Sequence, residues 1–402
     1  MKNLLRLGQI AFTSMILLAA SAHSHAQTFY SLASFMLAEG NDSFYYGSDS
    51  LVQGTDGNLY GVGGGGGTAG YGTVYKVSLD GVVTVLHSFD KADGAYPYAG
   101  LVQGANGNFY GSTVQGGAHG YGTVFEITPS GTLTTIHSFQ SSEAAQVEST
   151  FIPGPNGNFY GIANSGGSHS EGSIFSVTPS GKVTVIYNFC NQPSCADGAY
   201  PQAGLFRASN GNFYGTTASG GTYQSGTVFE MTPRGQLTTL HNFCTHPNCT
   251  DGYYPYGTLI QGANGRLYGT TNLGGNGGGI IYSISLTGQF QILYDFCPEN
   301  CNDGWNPFSG LLLASDGNFY SSTGAGGANR WGTAFQLTPA GRLTTLYSFC
   351  SDYVDEQCLD GGDSFSGLIQ ASDGNLYGTT YVGGANGDGT IYRISGITPA
   401  LH

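Results

Sequence analysis

The sequence is poor in charge, and above all in basic side chains. Charged residues make up 9% of the 402 positions, with 11 Lys and Arg against 25 Asp and Glu, and the formal net charge is −14. Proteins that bind nucleic acid or anionic membranes do so through clusters of basic side chains. The composition therefore argues against both kinds of partner.

Long apolar runs and cysteines are also scarce. The one long apolar stretch runs from Leu7 to Ala22, between a positively charged start and small residues typical of a cleavage site. This pattern predicts a signal peptide over residues 1–26, with a mature chain that begins at Gln27. No later run is long enough for a membrane span. The absence of cysteine before Cys190 excludes a lipoprotein anchor at the signal, so we expect a protein that is secreted, periplasmic or held at the cell surface.

Helical periodicity is missing after the signal, whereas glycine (68 residues), tyrosine (27) and phenylalanine (23) are abundant. An Asn-Gly or Asp-Gly turn followed by Asn or Arg, an apolar residue and Tyr recurs at intervals of 50 to 57 residues. Such turns between apolar residues indicate β-hairpins. The seven copies begin at Asp56, Asn106, Asn156, Asn210, Asn264, Asp316 and Asp373.

Each repeat has room for four strands. In the second repeat we expect strands at 100–103, 109–111, 122–127 and 133–139, joined by the Asn-Gly turn, a Gly-rich loop and a Pro-Ser-Gly turn. Four antiparallel strands in about 50 residues are typical of a propeller blade. The sequence predicts an all-β fold in which residues 27–402 form a single seven-bladed β-propeller with four antiparallel strands per blade.

The two ends of the chain complement each other. The last repeat stops after its third strand, at residues 389–394, and the chain continues for only eight residues. Residues 28–35 match the fourth-strand pattern seen at 344–349. We therefore expect the N-terminal strand to complete the last blade, because this closes the ring and leaves no open sheet edge.

All eight cysteines fall in connections from a fourth strand to the next blade, and each connection has two or none. Local disulfides require this arrangement, and an exported protein meets the oxidising conditions that they need. Zinc binding is disfavoured because pairs on four different blades cannot share one metal. The expected pairs are Cys190–Cys195, Cys244–Cys249, Cys297–Cys301 and Cys350–Cys358.

The repeat as a whole resembles the GloVer tandem repeat of exported bacterial proteins with variable C-terminal anchors. The similarity covers Leu51 to Ile394 and includes the G-N-[LF]-Y-G and L-T-T-[LI]-[HY]-x-F segments. The resemblance implies export and tandem repeats, but no reaction, cofactor or catalytic residue. Residues 396–402 contain neither an apolar span nor a basic cluster, so we expect release from the cell rather than anchoring.

Two repeated sets of polar residues are interpreted as structural. His87, His137 and His241 share a fourth-strand position with tyrosines in other repeats, and a general base would not be interchangeable with Tyr. An acid follows each fourth strand, where it could form a ring of carboxylates at a channel mouth or cap its own turn; the sevenfold repetition favours the cap. These acids are Glu39, Asp93, Glu143, Asp197, Asp251, Asp303 and Asp360.

Positions that differ between repeats are better candidates for binding. The residue before the third strand varies around the ring, and this loop should share a face with the connection between blades. Aromatic side chains among Gly, Asn and Ser suit stacking on sugar rings, although they could also pack on neighbouring loops. The candidate ligand-binding residues are Tyr71, Tyr121, Trp331, Tyr96, Tyr200, Tyr254 and Trp305.

We therefore expect a monomeric, non-catalytic exported propeller, without metal or cofactor, that binds an extracellular glycan or a surface protein. The alternative is a polysaccharide lyase or glycosidase that uses loop carboxylates, for which Glu171 and Asp388 are the least repetitive candidates. A glycosidase needs two carboxyl groups about 5–9 Å apart. Sequence alone does not choose between the two.

Overall fold

A computed structural model describes residues 27–37, 51–154, 157–297 and 299–397. The predicted signal peptide, Glu39, Asn156 and the last five residues lie outside these ranges. Within them the chain forms seven four-stranded antiparallel sheets and no α-helix. The predicted seven-bladed β-propeller is confirmed.

Each blade is an up-and-down sheet whose strands, A to D, run from the central channel to the outside. Blade 1 consists of β2 (Leu51–Gln53), β3 (Leu59–Gly63), β4 (Thr73–Val77) and β5 (Val83–Ser88); blade 2 of β6 (Val102–Gln103), β7 (Phe109–Ser112), β8 (Thr123–Ile127) and β9 (Leu133–Ser138). Blade 3 consists of β10 (Ile152–Pro153), β11 (Phe159–Ala163), β12 (Ser173–Val177) and β13 (Val183–Asn188); blade 4 of β14 (Phe206–Arg207), β15 (Phe213–Thr217), β16 (Thr227–Met231) and β17 (Leu237–Asn242).

The remaining blades follow the same order. Blade 5 consists of β18 (Ile260–Gln261), β19 (Leu267–Thr271), β20 (Ile280–Ile284) and β21 (Phe290–Asp295); blade 6 of β22 (Leu312–Leu313), β23 (Phe319–Thr323), β24 (Thr333–Leu337) and β25 (Leu343–Ser348). A small hairpin, β26 (Tyr353–Val354) and β27 (Gln357–Cys358), precedes blade 7, which contains β28 (Ile369–Gln370), β29 (Leu376–Thr380), β30 (Thr390–Ser395) and β1 (Thr28–Ser34).

The A strands are shorter than expected. In blade 2 the strand covers Val102–Gln103 rather than 100–103. The residues before it lie against the neighbouring blade instead of pairing with strand B. In blade 4, for example, the backbone N–H of Gly204 donates to the Thr258 hydroxyl of blade 5 at 3.0 Å.

One phenylalanine at the end of each D strand holds successive blades together. All seven copies are 0–1% exposed. Each ring packs edge-on against an aromatic ring in strand C of the next blade, with centroids 5.2 to 5.5 Å apart. The seven residues are Phe35, Phe89, Phe139, Phe189, Phe243, Phe296 and Phe349.

The N-terminal strand closes the ring as expected. Strand β1 pairs with β30, with Thr28 opposite Ser395 and Ser34 opposite Thr390. Phe35 then bridges the last blade to the first, because its ring lies 5.2 Å from that of Tyr75 in blade 1. On the other face of the ring, Gln53 of blade 1 accepts a hydrogen bond from the backbone N–H of Ser372 in blade 7.

The repeated acids cap their own turns, and they also bind the D-strand His or Tyr. In blade 1, Asp93 accepts hydrogen bonds from the backbone N–H of Asp90 and contacts Nε2 of His87 at 2.6 Å. In blade 3, Asp197 accepts from Asn191 N–H and, at 2.6 Å, from the Tyr187 hydroxyl. His and Tyr are interchangeable because both present a donor to the same carboxylate. Both sets are structural in the described copies, as the repetition indicated.

Candidate functional site

One face of the ring is built from the B–C loops and the connections between blades; we call it the loop face. Each connection bonds to the loops of both blades that it joins. In the first connection, Tyr96 N–H donates to the Tyr71 carbonyl of blade 1 at 2.8 Å, while Ala95 forms a β-bridge with Gln115 of blade 2. The two loop sets therefore share one face, as expected from the topology. The opposite face carries the short A–B and C–D turns.

Four successive connections on the loop face carry disulfides. They join blades 3 to 4, 4 to 5, 5 to 6 and 6 to 7, and the cysteines pair as expected from the sequence: Cys190–Cys195, Cys244–Cys249, Cys297–Cys301 and Cys350–Cys358. The described residues contain no free cysteine. These loops hold several non-glycine residues at positive φ, such as Cys190 at 58°. Such conformations persist only where the surrounding structure imposes them, and a covalent clip does so.

The predicted ligand-binding aromatics all lie on the loop face, but they do not converge on one site. Tyr71 and Tyr96 contact each other at the blade 1–2 junction, with ring centroids 6.0 Å apart. Tyr254 packs between Tyr253 and Tyr256. These three side chains are half-buried and match the alternative interpretation that the rings pack on neighbouring loops. Four others are clearly exposed, namely Tyr121 (42%), Tyr200 (42%), Trp305 (40%) and Trp331 (39%).

Trp331, one of the four exposed rings, lines a concave pocket. The pocket has a volume of about 180 Å³ and lies between the B–C loops of blades 6 and 7 and the β26–β27 hairpin. Tyr353, Glu356 and Gln357 of the hairpin line it together with Val382. It combines two aromatic rings with a carboxylate and an amide, and it is smaller than the cavities that enclose drug-sized ligands. We call it the Trp331 pocket.

A glycine allows Trp331 to lie in this position. A Cβ added to Gly362 would come within 3.0 Å of the Trp331 ring and 3.3 Å of its Cβ. The corresponding position is Ala95, Ala199 or Trp305 in other connections. Trp331 could be identified from the sequence, but Tyr353, Glu356 and Gln357 could not, because their contribution depends on how the insertion between Cys350 and Cys358 folds.

The hairpin tip of the pocket is strained. Asp355 and Glu356 form its two-residue turn, and both have positive φ, 49° and 64°. A turn of this kind is normally made by Asn-Gly, because side chains with a Cβ disfavour the left-handed region. The hairpin is therefore held by its pairing and by the Cys350–Cys358 disulfide. Tyr353 projects from it with 60% of its surface exposed.

The central channel forms a cavity of about 340 Å³. The A strands of all seven blades line it, mostly with Leu, Ile, Val and Gly. Its wall is apolar, so it offers no group that could act as an acid, base or metal ligand along most of its length.

The two carboxylates proposed for the enzymatic alternative lie far apart. Glu171 belongs to blade 3 and Asp388 to blade 7, so two blades separate them on one side and three on the other. Facing sheets are about 10 Å apart, which places these groups roughly 20 Å or more from each other. Glu171 instead bonds to the Tyr200 hydroxyl and raises the pKa of that group. The pair cannot flank one glycosidic bond.

Among the described residues, no group of three or more His, Cys, Asp or Glu side chains is placed to hold a metal ion. No helix in the described ranges has the length and apolar character needed to cross a membrane.

Comparison with known sequences identifies one family. Three overlapping segments, residues 21–207, 148–311 and 274–401, match the sequence model of the Gloeobacter/Verrucomicrobia repeat. A search of curated proteins gave no significant match.

Solved structures similar to this chain include sensor proteins and a peptidase. Two are named as extracellular domains of a hybrid two-component and a one-component system of B. thetaiotaomicron; they share 14% and 12% identity, with TM-scores of 0.57 and 0.59. The matches cover 91% and 92% of this chain but only 41% and 40% of those chains. A puromycin-hydrolyzing peptidase of Mycobacterium tuberculosis has 10% identity and a TM-score of 0.54, over 91% of this chain and 55% of its own. At such identities the similarity shows the fold alone.

Proposed function

Since the chain belongs to the Gloeobacter/Verrucomicrobia repeat family, we propose that it is an exported, non-catalytic propeller that binds an extracellular carbohydrate at the Trp331 pocket. The observation that carries the proposal is the pocket itself, where Trp331 and Tyr353 are combined with Glu356 and Gln357. Aromatic rings offer apolar faces for the C–H faces of a sugar ring. The carboxylate and the amide supply hydrogen-bond partners for its hydroxyl groups.

The negative charge around the pocket limits the class of carbohydrate that can bind there. The hairpin carries Asp352, Asp355 and Glu356, all exposed, and the chain as a whole has a net charge of −14. An acidic surface repels uronic-acid and sulfated polysaccharides. We therefore infer that the ligand is neutral and that the pocket holds one sugar unit, in keeping with its volume of about 180 Å³.

Export is supported by three independent observations. Four disulfides are stable in an oxidising compartment and rare in a reducing cytoplasm. The sequence predicts a signal peptide at residues 1–26, and the two sensor proteins with the same fold are named as extracellular domains. A surface protein as the ligand is the other possibility that the loop face allows, and an array on which no glycan binds would favour it.

The experiment is a glycan array on the purified mature protein, followed by calorimetry with the best oligosaccharide. Trp331→Ala and Tyr353→Ala should each weaken binding by about 1–3 kcal/mol, as interface hot spots do. Gly362→Ala should also weaken it, because the new methyl group displaces the Trp331 ring. Tyr223→Ala is the matched control, since Tyr223 is 52% exposed on the loop face of blade 4, outside the pocket.

Three results would refute the proposal. The array could show no neutral glycan, the Tyr223→Ala control could lose as much affinity as Trp331→Ala, or the Trp331→Ala protein could fail to fold. Cleavage of a bound glycan would instead support the enzymatic alternative.

A further inference from the structure

The loop-face mouth of the channel is asymmetric, and its polar part lies at the entry to blade 3. In the segment Val147–Phe151, Val147 and Phe151 are buried in the blade, and the Ser149 hydroxyl donates to the Ile162 carbonyl. Glu148 lies between these residues and is itself buried. Thr150 lines the channel directly.

Four polar side chains of blades 3 and 4 belong to this region, and three of them have a buried acceptor atom without a hydrogen-bond partner. Asn164 donates through Nδ2 to a Glu148 carboxylate oxygen at 3.4 Å, which is a long hydrogen bond. The Asn164 Oδ1, the Thr150 hydroxyl and the Oε1 of Gln202, at the entry to blade 4, are buried and have no hydrogen-bond partner. Buried polar atoms without partners are rare in proteins and costly. All three atoms can accept a hydrogen bond.

Glu148 itself is an uncompensated buried acid. Its side chain is 5% exposed, and burial raises its pKa to about 7, against a smaller opposite effect of the Asn164 hydrogen bond. No charged side chain of the described residues contributes to this shift. A carboxylate in such a place is disfavoured unless a cation accompanies it.

The equivalent positions in other blades are not acidic. At the entries to blades 2, 5, 6 and 7 the position of Glu148 is taken by Tyr98, Tyr256, Phe308 and Phe365. The rings of Tyr256 and Phe308 stack at 5.9 Å, and Phe308 meets Phe365 edge-on at 4.9 Å. The polar cluster of blades 3 and 4 thus shares the mouth with an aromatic wall on blades 5 to 7, above an apolar channel. Fold requirements that are common to all blades do not explain the acid.

We propose that the loop-face mouth of the channel binds a small organic cation that carries N–H donors, a primary ammonium or guanidinium group. The cation would neutralise Glu148 and donate to the acceptor oxygens of Thr150, Asn164 and Gln202. The aromatic wall would contact its apolar part and add cation–π attraction. This site lies at the entries to blades 3 and 4, whereas the Trp331 pocket lies at the blade 6–7 junction, so the two proposals stand independently.

The test is calorimetry on the full mature protein with benzylammonium as the probe. Two comparison compounds separate the contributions: benzyl alcohol lacks the charge, and benzyltrimethylammonium keeps the ring and the charge but lacks N–H donors. We expect both to bind at least tenfold more weakly than benzylammonium. Glu148→Gln should lose at least tenfold in affinity, whereas Glu299→Gln, an exposed acid in the connection from blade 5 to blade 6, should bind as the wild type does.

A measurement on the unmodified protein covers the case in which Glu148→Gln does not fold. Because the cation binds the ionised carboxylate and the pKa of Glu148 is about 7, the affinity for benzylammonium should rise about tenfold from pH 6 to pH 8. The affinity for benzyl alcohol should not change. Equal binding of benzyl alcohol or of benzyltrimethylammonium, unchanged affinity of Glu148→Gln, or a pH-independent affinity would each overturn the proposal.

Discussion

Replacement of Phe35 by alanine tests whether the N-terminal strand is a full partner in the ring. Phe35 is 1% exposed and packs edge-on against Tyr75 at 5.2 Å, and Phe243 makes the same contact inside the ring, with Tyr282 at 5.4 Å. Removal of a buried phenylalanine ring costs about 3–5 kcal/mol through lost burial and the cavity that remains. Phe35→Ala and Phe243→Ala should therefore be about equally destabilising.

The comparison is informative because β1 is the one D strand that is not joined to strand C of its own blade by a turn of the chain. If β1 could detach while the other blades stayed folded, the cost of Phe35→Ala would be limited to the free energy of that detachment. Because β1 is held by its pairing with β30 and by the contact of Phe35 with blade 1, we expect that it does not detach separately. The two variants should then show the same loss of stability.

Thermal unfolding followed by circular dichroism is the assay. At about 2 °C per kcal/mol for a chain of this size, each variant should melt roughly 6–10 °C below the wild type. Deletion of residues 27–37 should lower the melting temperature further and promote aggregation, because β30 becomes an open edge. A shift for Phe35→Ala below one third of that for Phe243→Ala would refute the locked ring.

Two further predictions concern bonds and charge. Peptide mapping of the non-reduced protein should recover four local disulfides and no abundant pair between blades; a cross-blade pair would contradict the structure. The pKa of Glu148 is raised to about 7, so the folded protein retains a proton that the unfolded chain releases from about pH 4.5 upward. The free energy of unfolding of the wild type should therefore fall, relative to Glu148→Gln, by up to ~3 kcal/mol between pH 4.5 and pH 7 and stay level above it. Urea titrations of both proteins at pH 5 and pH 8 measure this difference. If the free energies of unfolding of the wild type and of Glu148→Gln differ by the same amount at both pH values, Glu148 is not buried as an acid.

The fold was predictable because the seven repeats of the chain can be compared with one another. The Asn-Gly and Asp-Gly turns give the register of seven repeats, and the missing last strand is visible at residues 28–35. The disulfides followed from the same comparison, since cysteine pairs occur in equivalent connections. Strand lengths were less predictable, because the hydrogen bonds of residues such as Gly204 go to the next blade rather than to the same sheet.

The candidate sites could be located only in part. Trp331 differs from its counterparts in sequence, but its pocket depends on the path of the β26–β27 hairpin, which no repeat pattern describes. Glu148 had a usable signal, because it is an acid where other connections have Tyr, Phe or Gln. Its burial depends on how residues 147–151 pack in space. The sequence alone does not show how far the Glu148 carboxyl group is removed from water.

The pairing of β1 with β30 also sets the timing of folding. Thr28 and Ser395, which lie opposite each other in this ladder, are separated by 367 residues in the chain. At a synthesis rate of about 5–20 residues per second, the first strand waits roughly 20–70 s for its partner. Blades 1 to 6 can form one after another during this interval, but the ring stays open until the last blade emerges. The nascent chain therefore carries an unpaired N-terminal strand, with the apolar side chains of Phe29, Leu32 and Phe35, for nearly the whole of its synthesis, and a chaperone that binds such segments would have its natural target there.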